Sequence, residues 1–288
     1  MSAPRALAAV VIVAAVLGAP HGERGPSPRA AASRRAALFV MFSANAPRAA
    51  PQLFARYVSD RDYVRIESLP DDVRVPRARR FALPTTTRAR FLGDPGVRHW
   101  VERGCGPSTP GTIVYDPERR RLTPAREQRD VGAAIRRATR LVSSTGCHAF
   151  GLAPGAALLF GLDARACSYD LGAGLLEHIS WTAVDVVDIQ AQRLLGDHCV
   201  ARGGVATYAA AVRAVTSYVR RRNPSISVAS QVSFRDNAPV AMRTGIDSVA
   251  TVVDGIYFSY PSTHPSIACR YCTRANLQGL LQYLRGRP

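Results

Sequence analysis

The sequence contains no lysine, so all 38 of its basic side chains are arginine. They outnumber 21 Asp and Glu residues and give a formal net charge of +17. The excess is spread along the chain, and clusters such as Arg220–Arg222 are not interleaved with the aromatic residues that stack on bases. This distribution predicts a solvated basic surface and no specific nucleic-acid site. Weak attraction to anionic cell-envelope polymers is its functional alternative.

Several sequence signatures of catalysis are also absent. There is no Gly-x-Gly-x-x-Gly phosphate turn, no Ser-His-Asp order and no histidine cluster at metal-ligand spacing. These absences argue against dinucleotide chemistry, acyl transfer, metal-dependent hydrolysis and phosphoryl transfer. The sequence therefore predicts no cofactor and no metal. A zinc site at Cys269 and Cys272 is the weaker alternative, because His264 is the one histidine near them.

The first 36 residues do not have the composition of a folded domain. Residues 1–19 combine a short basic start with an apolar run too short to span a membrane comfortably, which predicts a secretory signal peptide. An uncleaved anchor is the alternative. Residues 20–36 are rich in Arg, Pro and Ala and predict a disordered spacer. We expect a secreted, extracellular chain without a stable membrane span after signal cleavage, and a single domain over residues 37–288.

Six cysteines in an exported chain predict disulfides. Six thiols allow 15 connectivities, so cysteine counting alone does not fix the pairing. Their positions relative to the predicted strands favour three pairs, which are Cys105 with Cys147, Cys167 with Cys199, and Cys269 with Cys272.

Short apolar runs alternate with helical patterns along the rest of the chain. The predicted strands lie at residues 37–42, 63–66, 112–118, 147–153, 184–189, 226–232 and 252–258. Asp130 is predicted to cap a helix, and Leu171–Trp181 is predicted to be helical, whereas residues 69–87 are predicted to be irregular. Alternating strands and helices indicate a mostly parallel sheet. The predicted fold is an α/β, (β/α) TIM-type barrel, irregular, with seven or eight strands.

In such a barrel the carboxyl ends of the strands meet on one face, where chemistry concentrates. Asp116 and Glu118 follow an apolar strand and are the predicted catalytic pair. Polar residues at other predicted strand ends are assigned to substrate binding: Glu67, Asp188, Gln190, Gln192, Gln231, Tyr257 and Tyr260. Amides and phenols suit sugar hydroxyls, and carboxyl groups suit acid and base steps at a glycosidic bond.

These residues also have purely structural interpretations. Asp116-Pro117-Glu118 is equally typical of a turn before a helix. Asp188 fits a buried hydrogen-bonded carboxylate, and the glutamines fit the polar face of a strand end. Glu67 fits a simply exposed strand end, and the tyrosines fit packing at the rim of a barrel.

The sequence Tyr115-Asp116-Pro117-Glu118 resembles the strand-terminal Asp-x-Glu of family 18 chitinase-like glycoside hydrolases. That resemblance implies a barrel from about Ala37 to Leu284, with Glu118 as general acid and Asp116 holding an acetamido group of the substrate. Where the family carries further aspartates in this strand, the present chain has Thr112, Ile113 and Val114.

Together these features predict a secreted protein resembling glycoside hydrolases that acts on a polysaccharide or a cell-envelope glycan. The alternative is a non-catalytic extracellular barrel of the same shape that binds an envelope glycan or a partner protein. A basic surface that adheres to anionic polymers is a third interpretation. The oligomeric state is left open.

Overall fold

A computed structural model of the chain describes residues 37–43, 46–47, 50–66, 79–82, 94–106, 109, 111–118, 123–260 and 269–286. The predicted signal peptide and spacer lie outside these residues. Within the described ranges, no helix combines the length and the apolar character needed to cross a membrane.

The described strands form one parallel sheet in which neighbours in sequence are neighbours in space. Each strand pairs with the next one, and β1 also pairs with β8, so the pairing returns to its start. The predicted parallel α/β barrel is confirmed as a barrel-like sheet. The strands are β1 Phe39–Ser43, β2 Tyr63–Ile66, β3 Arg79–Ala82, β4 Thr112–Tyr115, β5 Ala149–Leu152, β6 Val186–Ile189, β7 Ser227–Ser233 and β8 Gly255–Ser259.

Helices of unequal length connect the strands. The longest follows β6 and has 19 residues, whereas several connections contain only short helices or 3₁₀ turns. The α-helices are α1 Pro51–Tyr57, α2 Asp94–Val101, α3 Ala125–Arg129, α4 Val131–Ser143, α5 Ala156–Phe160, α6 Asp197–Val200, α7 Gly204–Arg222, α8 Pro239–Val249 and α9 Arg274–Arg285.

Two predictions about secondary structure are wrong. Strand β3 lies within residues 69–87, which were predicted to be irregular, because pairing with β2 and β4 supplies what its short sequence does not indicate. The predicted helix over Leu171–Trp181 is replaced by 3₁₀ turns. Between these turns, a Cβ on Gly174 would lie 2.1 Å from the Leu159 carbonyl oxygen, so the backbone at Gly174 packs directly against α5.

Alternation along the strands divides the apolar side chains between two cores. The larger core packs the outer face of the sheet against the helices and contains Phe42, Ile113 and Phe258. The smaller one lies inside the barrel and consists of Met41, Tyr63, Val114, Ala153, Ala229 and Tyr257. Because side chains alternate along a strand, the residue two positions after Val114 also points inward. That residue is Asp116.

The three predicted disulfides are confirmed. The structure pairs Cys105 with Cys147, Cys167 with Cys199, and Cys269 with Cys272. Three disulfides are compatible with an extracellular protein, because such bonds persist in oxidising compartments.

A buried ion pair joins the first strands to the last helix. Asp62, which precedes β2, is fully buried, and its carboxylate accepts hydrogen bonds from the backbone nitrogens of Val40 and Ser59 at 2.6 and 2.7 Å. The Arg285 guanidinium at the end of α9 pairs with the same carboxylate. Arg285 also donates to the backbone oxygens of Tyr57 and Leu38 at 3.0 Å each. Both charges are therefore well supplied with partners.

We predict that Arg285→Met lowers the free energy of unfolding by about 3–5 kcal/mol, because it leaves the Asp62 carboxylate buried without its cation. Urea or thermal unfolding measures the change. Arg220→Met is the matched control: Arg220 pairs with Asp254 at 2.8 Å, but both side chains are more than a third exposed, so a loss of about 0–1 kcal/mol is expected. Equal losses in the two variants would contradict a special role for the buried pair.

Candidate functional site

A cavity of about 680 Å³ opens at the carboxyl ends of the strands from β4 to β8. It is lined by two residues predicted to be catalytic and five predicted to bind substrate. These are Asp116, Glu118, Asp188, Gln190, Gln192, Gln231 and Tyr257. The structure thus gathers into one space residues that are up to 141 positions apart in the sequence, from Asp116 to Tyr257.

Asp116 occupies the inward position that directly follows β4 and is 6% exposed. The Gln190 amide nitrogen donates to its Oδ1 at 3.1 Å and to the Ala153 backbone oxygen at 2.6 Å. Gln190 therefore ties together the ends of β4, β5 and β6. With both contacts made by its nitrogen, this amide presents its oxygen, and not a donor, to a ligand.

Glu118 lies on the same rim, two residues further along an irregular segment. Its backbone nitrogen donates to the Thr123 hydroxyl at 3.0 Å, which fixes the start of the loop. The half-buried side chain passes close to Gly155, where an added Cβ would lie 3.5 Å from the Glu118 Cγ. Both Asp116 and Glu118 line the cavity although the segment between them is not a strand.

Asp188 and Gln231 lie deeper, and each is more than nine-tenths buried. Gln231 on β7 is in register with Tyr257 on β8. Its Oε1 atom is buried and accepts no hydrogen bond from any residue that the structure describes, and the same holds for Gln192 Oε1. An unsatisfied buried acceptor costs about 1–3 kcal/mol, so two of them at one cavity point to a ligand that donates hydrogen bonds.

Burial raises the pKa of two tyrosine side chains near the barrel. Burial raises the pKa of the Tyr208 phenol strongly, and the negative charge of Asp188 raises it further, against the effect of a 2.7 Å hydrogen bond with Ser230. Burial also raises the pKa of Tyr260. Both phenols therefore stay protonated at neutral pH.

Not every predicted residue belongs to the cavity. Tyr260 is buried, does not line the cavity, and donates its hydroxyl to the Cys272 backbone oxygen at 3.2 Å, so it packs at the rim. The accepting carbonyl belongs to the turn that the Cys269–Cys272 disulfide closes. Glu67 lies outside the described residues.

Three arginines on the cavity wall were not predicted. Arg165, Arg193 and Arg235 are exposed and come from three different connections of the sheet. No sequence signal distinguishes them among 38 arginines. Asp163 lies beside them, and hydrogen bonds from the backbone nitrogens of Ala166 and Arg165 hold the pKa of its carboxyl below the usual value.

One group of described residues has ligand atoms close enough to hold a metal ion. The sulfurs of Cys167 and Cys199 and a ring nitrogen of His198 lie within 4.8 Å of one another. The two sulfurs form a disulfide, so they are not thiolate ligands. This group supports the loop that carries Arg165.

A second cavity of about 830 Å³ lies at the opposite end of the barrel. Among the described residues that line it, Asp254 is the one carboxylate; it is paired with Arg220 and accepts a hydrogen bond from the Val228 backbone nitrogen at 2.8 Å. The described lining of the cavity at the carboxyl ends contains several carboxylates and amides.

Comparisons with known proteins add little. No family model and no curated protein matches the chain. Similar solved structures include Aspergillus clavatus Sph3 in complex with GalNAc, at 12% identity and a TM-score of 0.48, covering 87% of this chain and 99% of that one. They also include QR15, an aldolase, at 12% identity and a TM-score of 0.42, with 78% and 90% covered. The dipeptide epimerase of Methylococcus capsulatus, complexed with Mg ion, has 11% identity and a TM-score of 0.34, with 81% and 58% covered. At these values we draw nothing from them about chemistry.

We predict different effects on the free energy of unfolding when two glutamines of this cavity are each replaced by leucine. Gln190→Leu removes the donor to Asp116 and to the Ala153 carbonyl and lowers the free energy of unfolding by about 1–3 kcal/mol. Gln231→Leu removes an acceptor that has no partner among the described residues and leaves that free energy unchanged or slightly higher. Chemical denaturation of both variants beside the wild type measures the difference. A larger loss in Gln231→Leu than in Gln190→Leu would show that the amide of Gln231 is structural.

Proposed function

We propose that this chain is a secreted glycoside hydrolase-like protein and that the cavity at the carboxyl ends of its strands is the site for a polysaccharide or cell-envelope glycan. The observation that carries the proposal is the cavity itself, which brings Asp116, Glu118 and Asp188 together with the amides of Gln190, Gln192 and Gln231. Its volume of about 680 Å³ falls within the usual range of ligand sites. The three disulfides support export.

In this proposal Glu118 is the proton donor to the leaving oxygen of the glycosidic bond. The side chain is half-buried at the cavity wall, where a bound sugar would exclude water from it. Asp116 and Asp188 line the same cavity as Glu118 and are the candidates for the second carboxylate of the reaction.

Asp116 is the second carboxylate of the proposal. Gln190 holds its Oδ1 from one side, so the carboxylate is oriented before a ligand arrives. A fixed carboxylate suits either orientation of a substrate group or stabilisation of positive charge at the reacting carbon. Asp188 is the other described carboxylate on the cavity floor and the alternative for this role.

The amides and the phenol complete the site. Gln231 and Gln192 offer acceptors to sugar hydroxyls, and Tyr257 provides a ring on the inner wall beside Gln231. Sugars present several hydroxyl donors around a small apolar ring, and this combination of groups matches them.

We predict that Glu118→Gln loses glycan hydrolysis by a factor of about 10²–10⁴ while glycan binding is retained, because the amide keeps the shape and cannot give up a proton. Release of reducing ends from a panel of polysaccharides is the measurement. Glu102→Gln is the matched control, because Glu102 is exposed after α2 and does not line the cavity.

Hydrolysis by Glu118→Gln at the wild-type rate would remove Glu118 as the donor. Binding of glycans by the wild type without hydrolysis of any of them would favour the non-catalytic barrel instead.

A further inference from the structure

The polar groups of the cavity differ in burial: a buried set forms the floor, and an exposed set forms the wall above it. The floor offers hydrogen-bond acceptors: the carboxylates of Asp116 and Asp188 and the buried Oε1 atoms of Gln192 and Gln231. The wall above carries the guanidinium groups of Arg165, Arg193 and Arg235, which only donate, together with the carboxylates of Glu118, Asp163 and Asp236. A ligand that fills the space therefore meets acceptors at the floor and both cations and carboxylates at the wall.

The loop that carries Arg165 is cross-linked to the rest of the fold. Arg165 lies in a turn closed by pairing between Asp163 and Ser168, and the Cys167–Cys199 disulfide fastens that turn to α6. A 2.8 Å hydrogen bond between His198 Nε2 and the Ala164 carbonyl adds a second tie.

The other two arginines are linked through one buried amide. Asn237 is fully buried; its nitrogen donates to the Gln192 carbonyl at 2.9 Å, next to Arg193, and its Oδ1 accepts from the Ser233 backbone nitrogen at 2.9 Å. Arg235 lies two residues after Ser233, and its backbone nitrogen donates to the Ser233 hydroxyl at 3.2 Å. The loops that present Arg193 and Arg235 therefore keep a fixed relation.

Two exposed acids, Asp163 and Asp236, line the cavity beside these arginines. Within the described part of the chain, Arg165 and Arg193 form no ion pair, and Arg235 reaches only its neighbour Asp236, at 3.9 Å with both side chains more than half exposed. The Asp163 Oδ1 accepts from two backbone nitrogens of its own turn, at 2.8 and 3.1 Å, and the charge of Arg165 also attracts this carboxylate. Exposed ion pairs of this kind contribute little to stability, so a ligand can displace the acidic partner.

We propose that the glycan taken by this cavity is acidic, with ring hydroxyls donating to the floor and carboxylate or sulfate groups binding Arg165, Arg193 and Arg235. The inference rests on the proposed function. It names the substrate class of that same site. Arginine suits the task because its planar donor fork matches the two oxygens of a carboxylate or a sulfate.

The test compares the binding of paired polysaccharides that differ only in charge, at 0.15 M salt. One pair is polygalacturonate and its methyl ester, and the other is dextran sulfate and dextran, so carboxylate and sulfate are distinguished. Affinity electrophoresis of the wild-type protein should show about tenfold or greater preference for the acidic member of at least one pair, equivalent to one net charge-assisted contact.

Two triple variants separate the cavity wall from the general basic surface. Arg165→Gln, Arg193→Gln and Arg235→Gln together should reduce that preference to about twofold or less. Arg129→Gln, Arg136→Gln and Arg140→Gln remove the same charge from exposed positions on α3 and α4, outside the cavity, and should retain the preference. Equal loss in both triples, or no preference in either pair, overturns the inference, because diffuse charge or neutral sugar would then account for binding.

Reducing-end release in the same samples keeps this inference distinct from the proposed function. Selective binding of an acidic glycan without its cleavage counts against hydrolysis and supports the assignment of substrate class. Cleavage of the neutral members alone supports hydrolysis and overturns that assignment.

Discussion

The buried pair of Asp62 and Arg285 is the interaction on which the arrangement of the barrel depends. It joins the backbone at β1 and the segment before β2 to the end of α9, so the first and last described elements hold each other. Strand β1, whose Val40 nitrogen donates to Asp62, also pairs with β8. With the strands parallel and the sheet returning on itself, all carboxyl ends share one face, and only then do Asp116 and Tyr257 face a common space.

Asp62 and the two glutamines of the cavity differ in how fully their buried polar atoms are hydrogen-bonded. At the amino end the Asp62 carboxylate accepts from two backbone nitrogens, a hydroxyl and a guanidinium. At the carboxyl end two glutamine oxygens are buried without a described partner. Fully satisfied groups stabilise a fold, whereas unsatisfied ones reduce its stability and are retained where a ligand needs them.

The sequence predicts much of this arrangement because parallel strands impose a simple rule. Apolar runs ending in polar residues identify seven of the eight strands, and alternation places Asp116, Asp188 and Gln231 on the inner side. The disulfides follow from position, and Asp130 caps α4 as expected, accepting from the Ala133 nitrogen at 2.8 Å. Strand β3 and the arginine wall do not follow, because pairing partners and loop ties, not local pattern, determine them. Tyr260 shares the residue type of Tyr257 and is diverted by a contact with Cys272 that no spacing predicts.

The central claim is that the cavity at the carboxyl ends binds a glycan across Asp116 and Glu118. A crystal structure of the Glu118→Gln protein soaked with an oligosaccharide of an acidic polysaccharide tests it most directly. We expect sugar rings in this cavity, with a glycosidic oxygen about 2.6–3.2 Å from the side chain of residue 118 and a ring hydroxyl donating to Gln231 Oε1. A sugar bound instead at the amino-end cavity beside Phe39 and Tyr63, with the carboxyl-end cavity empty, would contradict the claim.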